Sequence, residues 1–155
     1  MATPAKSGPE FLINTTTTDQ QFNPDVAGLT NGRFVVTWAD LSRSPDDPSA
    51  LAVRAQIFNA DGSKFGAEFL ANTSTAESQQ AAAVTALAGG GFVITWSDEN
   101  FAAVGGDSGS GAVRAQVFGA RGQPVGSEFL VNTSVHNVQN DPTITTLTNG
   151  RFVVA

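Results

Sequence analysis

Three blocks of the chain place apolar side chains at nearly every position. They are RFVVTWAD at 33–40, GFVITWSD at 91–98 and RFVVA at 151–155. On a strand, Phe34, Val36 and Trp38 would point to one side, and Val35 and Thr37 to the other. A sheet with one face in water alternates apolar with polar residues. The pattern therefore predicts strands that are covered on both faces.

The blocks belong to a unit that recurs along the chain. The motif EFL-x-NT precedes each block, at 10–15, 68–73 and 128–133. The motif AVRAQ-x-F follows the first two blocks, at 52–58 and 112–118. The EFL motifs are 58 and then 60 residues apart. A period of this length indicates a repeat architecture.

Each unit predicts four short strands, because apolar runs alternate with turn residues and no sustained period near 3.6 indicates a helix. The Asn-Gly of TNGR at 30–33 is a strong hairpin signal, since both central residues tolerate positive φ. The predicted organisation is a disordered lead-in at 1–8 and one repeat array at 9–155. The array comprises a stray fourth strand at 9–14, full units at 24–72 and 82–132, and a half unit at 142–155.

Four antiparallel strands per unit, repeated at this period, predict an all-β fold of β-propeller-like blades. A β-sandwich is the alternative; it explains the strands but not the repetition. About two and a half units cannot close a ring, since propellers use about four blades or more. We therefore expect closure between two or three copies, with residues 10–14 helping to complete a partner's third blade. The alternative is a fragment cut from a longer protein.

Composition excludes several classes of partner and site. The net charge is −6 and the pI about 4.5, whereas nucleic-acid binding needs a basic face. No apolar window is long enough to span a membrane. The absence of cysteine excludes disulfides and thiolate metal sites. The first residues, MATPAKSG, lack the apolar run of a signal peptide, which leaves a cytoplasmic protein, leaderless secretion or an excised piece.

Binding residues are expected on the long links, which leave an antiparallel unit at one edge and are polar and acidic. Gln21, Gln79 and Gln139 align between units, and they are expected to hydrogen-bond the links to neighbouring backbone. The ligand-binding candidates on this edge are Gln21, Phe22, Gln79, Gln139, Asp98 and Asp107.

A repeated Asp and Arg near a tryptophan have two interpretations. One is a ligand-binding arginine; the other is a structural ion pair with the guanidinium near the indole. Recurrence in both units favours the structural network, which comprises Trp38, Asp40, Arg54, Trp96, Asp98 and Arg114.

Other candidate chemistry is weaker. Asp46, Asp47 and Asp107 offer oxygen ligands for calcium, but no D-x-D-x-D spacing is present, and solvated turn residues are the alternative. No other cofactor is indicated. Asn14, Asn72 and Asn132 each begin an Asn-x-Ser/Thr pattern, which an Asx-type turn explains more simply than glycosylation.

No catalytic constellation is present. The segment GDSGS at 106–110 is similar to the nucleophile segment of trypsin-like proteases, but it departs at the last position. His136, the one histidine, follows the serine and does not recur between units. A serine nucleophile needs a placed base and an orienting carboxylate. The sequence therefore does not predict an enzyme.

Blocks of the EFLVNT, GGFVVTW and VRAQIF type resemble tandem repeats of large secreted bacterial proteins of the hemolysin-type, calcium-binding, type I secretion group. The resemblance covers residues 9–155. It implies a propeller-like β-repeat array, extracellular placement and a structural or adhesive role. The Gly-Gly-x-Gly-x-Asp nonapeptides that bind calcium in that group are absent; the stretch GGDSGSG at 105–111 does not fit their spacing.

Together these observations predict a non-catalytic structural or binding module. It would present its loop-rich acidic edge to a glycan, a cell-surface protein or another surface, and it would associate with itself. The alternative is a lectin-like multivalent binder with a weak sugar site at each blade junction, which gains avidity through the oligomer.

Overall fold

The computed structural model describes residues 8–48, 50–99, 111–134 and 137–155. Within these ranges there are ten β-strands and no helix. The strands are β1 (Gln21–Gly28), β2 (Phe34–Asp40), β3 (Ala52–Phe58), β4 (Lys64–Leu70), β5 (Gln79–Ala86), β6 (Phe92–Asp98), β7 (Ala112–Phe118), β8 (Pro124–Leu130), β9 (Ile144–Thr146) and β10 (Phe152–Val154).

The strands form two antiparallel four-stranded sheets and one hairpin. Sheet one has the order β1-β2-β3-β4, sheet two has the order β5-β6-β7-β8, and β9 pairs with β10. The all-β class, with four antiparallel strands in each full unit, is confirmed. A residue of the first two strands in unit one corresponds to the residue 58 positions later in unit two and 118 positions later in the hairpin.

The first strand of each sheet is longer than the sequence predicts. β1 and β5 begin at Gln21 and Gln79, three residues before the predicted starts at 24 and 82. A bulge between Phe22 and Asp25 interrupts the register of β1 with β2. This irregularity accommodates a proline inside the strand. Residues 9–14, predicted as a stray strand, lie outside every strand.

The tight turns differ from the predicted two-residue hairpins. The N–H of Leu29 donates to the carbonyl of Arg33 (2.7 Å), and the N–H of Gly32 donates to the carbonyl of Leu29 (3.1 Å). Gly32 has positive φ (80°), whereas Asn31 does not. The Asn31 side chain instead accepts a hydrogen bond from the Arg33 N–H (3.1 Å). The connection is therefore a longer turn that needs left-handed backbone only at the glycine.

Each sheet has two apolar faces. The front face of sheet one bears Phe34, Val36 and Trp38, and its back face bears Val35 and Val53. Front and back faces of sheet two are defined by the corresponding residues. β2 is buried from Val35 to Asp40, and β6 along its whole length. The predicted coverage of these strands on both faces is thus present.

The main core lies between the two sheets. The back face of sheet one packs on the front face of sheet two, where Phe92, Ile94 and Trp96 are all fully buried. The N–H of Val84 on β5 also donates to the Asp25 carboxylate of β1 (2.8 Å). The first strands β1, β5 and β9 contact one another in sequence. Successive units are thus joined through their first strands and their faces.

Residues 10–15 cover part of the front face of sheet one. The rings of Phe11 and Phe58 lie 5.6 Å apart at 51°. The rings of Phe69 and Phe118, which join sheet one to sheet two, lie 5.4 Å apart at 51°. The segment therefore contacts sheet one in the way that the end of β4 contacts sheet two, although it belongs to no strand.

Candidate functional site at the link edge

The long links all leave the sheets at one edge. In sheet one, Gln21 pairs with Asp40 and Asp40 pairs with Ala52, while Arg54 pairs with Leu70. The start of β1, the end of β2, the start of β3 and the end of β4 therefore lie together. Sheet two repeats this register. We call this side the link edge; the tight turns lie at the opposite edge.

A buried ion-pair network holds the link edge of sheet one. The Nε of Arg54 donates to Oδ2 of Asp40 at 2.8 Å, and both side chains are almost fully buried. Arg54 also contacts Asp46 at 2.5 Å and Glu68 at 3.7 Å. The Ser44 hydroxyl accepts a further hydrogen bond from this guanidinium. A buried charge needs partners of this kind to offset its lost hydration.

Sheet two repeats the Asp–Arg–Glu part of this network. The Nε of Arg114 donates to Oδ2 of Asp98 at 2.6 Å, and its Nη1 lies 3.3 Å from Glu128. Trp96 pairs with Arg114 in the register of β6 and β7, as Trp38 does with Arg54. The Asp and Arg side chains of the sequence-predicted network form ion pairs in both sheets. Its tryptophans lie in the apolar clusters.

The aligned glutamines fold the links. In sheet one, Gln21 donates to the Thr18 carbonyl (2.8 Å) and to Asp40 (3.0 Å), and it accepts from Asn14 (3.1 Å). Gln79 makes the corresponding three contacts, and Gln139 accepts from Asn132 at 3.2 Å. Each glutamine thus joins its link to an asparagine seven positions earlier in the chain.

The asparagines of the Asn-x-Ser/Thr patterns are tied to the backbone. The Nδ2 atoms of Asn14, Asn72 and Asn132 donate to the carbonyls two residues later, at 2.6, 2.8 and 2.7 Å. Oδ1 of Asn72 also accepts from the Val53 N–H at 2.8 Å. Asn72 is 2% exposed, so glycosylation there would require the link to open.

A clamp, formed by the Glu of one EFL-x-NT motif and the Thr of the preceding one, joins consecutive units, and the sequence suggested no role for these residues. Oε2 of Glu128 on β8 accepts hydrogen bonds from the backbone N–H and the hydroxyl of Thr73, each at 2.7 Å. Oε2 of Glu68 accepts from the Thr15 N–H at 2.6 Å. The Glu and Thr of EFL-x-NT therefore bind across units. Their joint recurrence in three motifs was the available signal.

A second recurrent contact stabilises the pairing of the third and fourth strands. Gln56 and Gln116 are buried within AVRAQ and donate to carbonyls at the bulge between the third and fourth strands. Gly66 and Gly126 lie in that bulge with positive φ (72° and 73°). A glutamine buried on this strand satisfies backbone groups that the irregular ladder leaves open.

The predicted ligand residues differ in accessibility. Gln79 and Asp98 are 0% and 1% exposed, and their polar groups bind within the unit, so a ligand has no surface there. Gln21 and Phe22 are half-buried and line an apolar cavity of about 250 Å³ beside Trp38. Gln139 is half-buried on its link. Asp107 lies outside the described residues, as do the GDSGS segment and His136.

The calcium candidates have other partners. Asp46 binds Ser44 and Arg54. Asp47 is 1% exposed and accepts a hydrogen bond from Asn72 at 2.9 Å. In the described part of the chain, no three His, Cys, Asp or Glu side chains are grouped to hold a metal ion.

The Asp46–Arg54 contact alters both ionisation equilibria. Burial acts to raise the pKa of Asp46, but hydrogen bonds from Ser44 and Arg54, with the Arg54 charge, outweigh it and lower the pKa. Burial acts to lower the pKa of Arg54, but hydrogen bonding and charge from Asp46 and then Asp40 raise it. The pair is therefore charged at neutral pH, which suits a structural role.

No protein-family model matches the chain, and the search of curated proteins returns no match. In the residues that the structure describes, no helix has the length and apolar character to cross a membrane.

Proposed function

We propose that the chain is a non-catalytic structural or binding module that presents its link edge to a partner. The observation behind this proposal is the separation of the two edges. One edge has short turns closed by backbone hydrogen bonds, whereas the other has long links held by repeated buried polar networks. A rigid scaffold that displays long loops at one side is a common arrangement for binding sites.

The charge of the link edge narrows the class of partner. Exposed acidic residues lie in four of the links: Asp19, Asp46, Glu77 and Asp141. Such an edge disfavours nucleic acid and other polyanions. A hydroxyl-rich glycan or a basic cell-surface protein fits it. The resemblance to secreted bacterial repeat proteins adds the expectation of extracellular placement.

The architecture behind this edge is, in our proposal, that of β-propeller blades. Support comes from the contacts of β1 with β5 and of β5 with β9, since the first strand of a blade lies nearest the propeller axis. Face-to-face packing of four-stranded antiparallel sheets fits the same arrangement. Association of several copies would extend the stack and align their link edges.

The lectin-like alternative has one favourable observation, the aromatic cavity beside Trp38 that Gln21 and Phe22 line. In unit two, position 80 is Gln in place of Phe22, and Trp96 is fully buried. The cavity is therefore not repeated at the junction of sheets one and two. Multivalent sugar binding at every junction loses its support.

Binding by the link edge is testable with one variant and one control. Fluorescently labelled protein is applied to a broad glycan array and to intact cells. The variant combines Asp19→Asn, Glu77→Asn and Asp141→Asn, because asparagine tolerates the positive φ at these positions. The control is Asp61→Asn, in a tight turn at the opposite edge.

We expect the triple variant to lose binding by about fivefold or more, as when several charge-assisted contacts are removed. The control should bind like the unaltered protein. Equal binding by all three proteins, or binding by none of them to any glycan or cell, would refute a role for this edge.

A further inference from the structure

The front face of sheet one is more open than the corresponding face of sheet two. Val26 on β1 is 60% exposed, whereas its counterpart Val84 is 6% exposed in the core. The apolar cavity beside Trp38 opens on the same face. Residues 10–15 cover another part of it, with Phe11 49% exposed.

The back face of the hairpin shows the same contrast. Leu147 is 43% exposed, and its counterpart Leu29 is 6% exposed in the core. Val153 on β10 is 48% exposed, whereas Val35 on β2 is fully buried. The same side-chain types thus lie in a packed joint between units one and two and in solvent on the hairpin.

The joint between sheets one and two shows what these surfaces fit. There, Leu29 and Val35 on the back face of sheet one belong to the same cluster as Val84 and Trp96 on the front face of sheet two. Leu147 and Val153 correspond to the first pair, and Val26 and Trp38 to the second. The exposed surfaces of one chain are therefore two complementary halves of one joint.

A small ligand is a competing occupant of the cavity beside Trp38. Its main support is the Trp38 indole N–H, which has no hydrogen-bond partner among the described residues. The Trp96 indole N–H is in the same condition inside a completely packed joint. An unpartnered indole N–H is therefore a property of this joint, and it does not indicate a ligand.

We propose that copies of this chain associate head to tail, with hairpin β9–β10 of one copy docked on the front face of sheet one in a second copy. The proposal deepens the proposed function, because it rests on face-to-face stacking of the units. Leu147 and Val153 would enter the cavity beside Trp38 and cover Val26. Residues 10–15 of the second copy would lie beside the docked hairpin, at the position that a fourth strand takes in a full unit.

When the contact joins two different surfaces, two variants that are each blocked at one of those surfaces can still associate with each other. A symmetric dimer, which uses the same surface on both copies, does not show this behaviour. The experiment measures mass by sedimentation velocity over a range of concentrations. Val26→Glu blocks the front face, Val153→Glu blocks the hairpin, and Val138→Glu is the control. Val138 is 56% exposed on a link, and its counterparts Gln20 and Ser78 are polar. Circular dichroism checks that each variant is folded.

The unaltered chain and the Val138→Glu control should sediment at a multiple of 16.0 kDa, the mass of one chain. Val26→Glu alone and Val153→Glu alone should each sediment as a single chain. An equimolar mixture of Val26→Glu and Val153→Glu should give a dimer and nothing larger, because one intact front face meets one intact hairpin.

Three results would overturn the proposal. They are a single-chain mass for the unaltered protein at every concentration, oligomers that survive Val153→Glu, and a mixture that stays monomeric. A sugar from the glycan array whose binding Val26→Glu abolishes in a monomeric protein would assign the cavity to a ligand instead. Link-edge binding is measured separately on the monomeric Val153→Glu variant, so its loss would count against the proposed function and not against the joint.

Discussion

Glu128 and Thr73 join two consecutive sheets through one carboxylate oxygen. Oε2 of Glu128 accepts hydrogen bonds from the N–H and the hydroxyl of Thr73, each at 2.7 Å. Nη1 of Arg114 lies 3.3 Å from the other carboxylate oxygen. The ion-pair network inside sheet two is therefore continuous with the clamp that holds sheet one.

The Thr73 hydroxyl should contribute to stability only where a following unit supplies a glutamate. We expect Thr73→Val to lower the free energy of unfolding by about 1 kcal/mol, since it removes one hydrogen bond to a charged group near the surface. Thr133 is the matched control, because no glutamate contacts it within the described ranges. Urea unfolding measures both variants. A loss of similar size in Thr133→Val would contradict the role of the clamp.

Arg114 should contribute far more to the free energy of unfolding than an exposed arginine does. Arg114→Met leaves the Asp98 carboxylate buried without its ion-pair partner, and breaking such a pair costs about 3–5 kcal/mol. Arg121→Met alters an exposed turn residue and should change stability by less than about 0.5 kcal/mol. Chemical denaturation of the two proteins gives the comparison. Equal stability would show that the network does not hold the sheet.

Much of the fold follows from local pattern. The apolar residues of RFVVTW require cover on both faces, and the turn residues fix where strands end, so four antiparallel strands per unit were predictable. The extra residues at the start of β1 were not. Pro24 suggests a strand boundary, but the bulge after Phe22 lets pairing continue to Gln21. Local signals cannot show a register that the partner strand imposes.

The contacts of the site were predictable only where a charged residue and its ion-pair partner both recur in the two full units. Asp40 and Arg54 both recur near a tryptophan, and they form the expected ion pair. The burial that removes Gln79 and Asp98 from the ligand candidates was not visible, because it depends on a link that folds back by an Asn–Gln hydrogen bond. The Glu128–Thr73 contact spans 55 positions, and repetition marks both residues without showing that they meet.

A left-handed residue at the register irregularity of β5, between Gln80 and Ala83, should limit stability. Ala81 has φ 51°, as do its counterparts Asn23 and Asp141. Alanine is strained in this region, whereas asparagine and aspartate tolerate it. We expect Ala81→Asn to raise the free energy of unfolding by about 0.5–1 kcal/mol, and Asn23→Ala to lower it similarly. Thermal and urea unfolding test the pair; a lower midpoint for Ala81→Asn would contradict the strain.

The Asp46–Arg54 contact should make stability depend on acid pH. Hydrogen bonds from Ser44 and Arg54 outweigh burial and lower the pKa of Asp46 below its model-compound value of 3.8. The folded state therefore binds this proton less readily than the unfolded chain does. The stabilisation is complete above pH 3.8 and is lost as the pH falls below it, through the lower pKa of the folded state.

Asp46→Asn should therefore be less stable than the unaltered protein at pH 7, by less than about 1 kcal/mol because the Asp46 side chain is half exposed. The difference should shrink as the pH falls below 3.8. Urea unfolding of both proteins from pH 7 to pH 3 measures it. Salt at about 1 M should also reduce the difference at pH 7, since it screens a half-exposed pair. A difference that widens towards acid pH would mean that Asp46 is stabilised in its protonated form, which the geometry around Arg54 does not support.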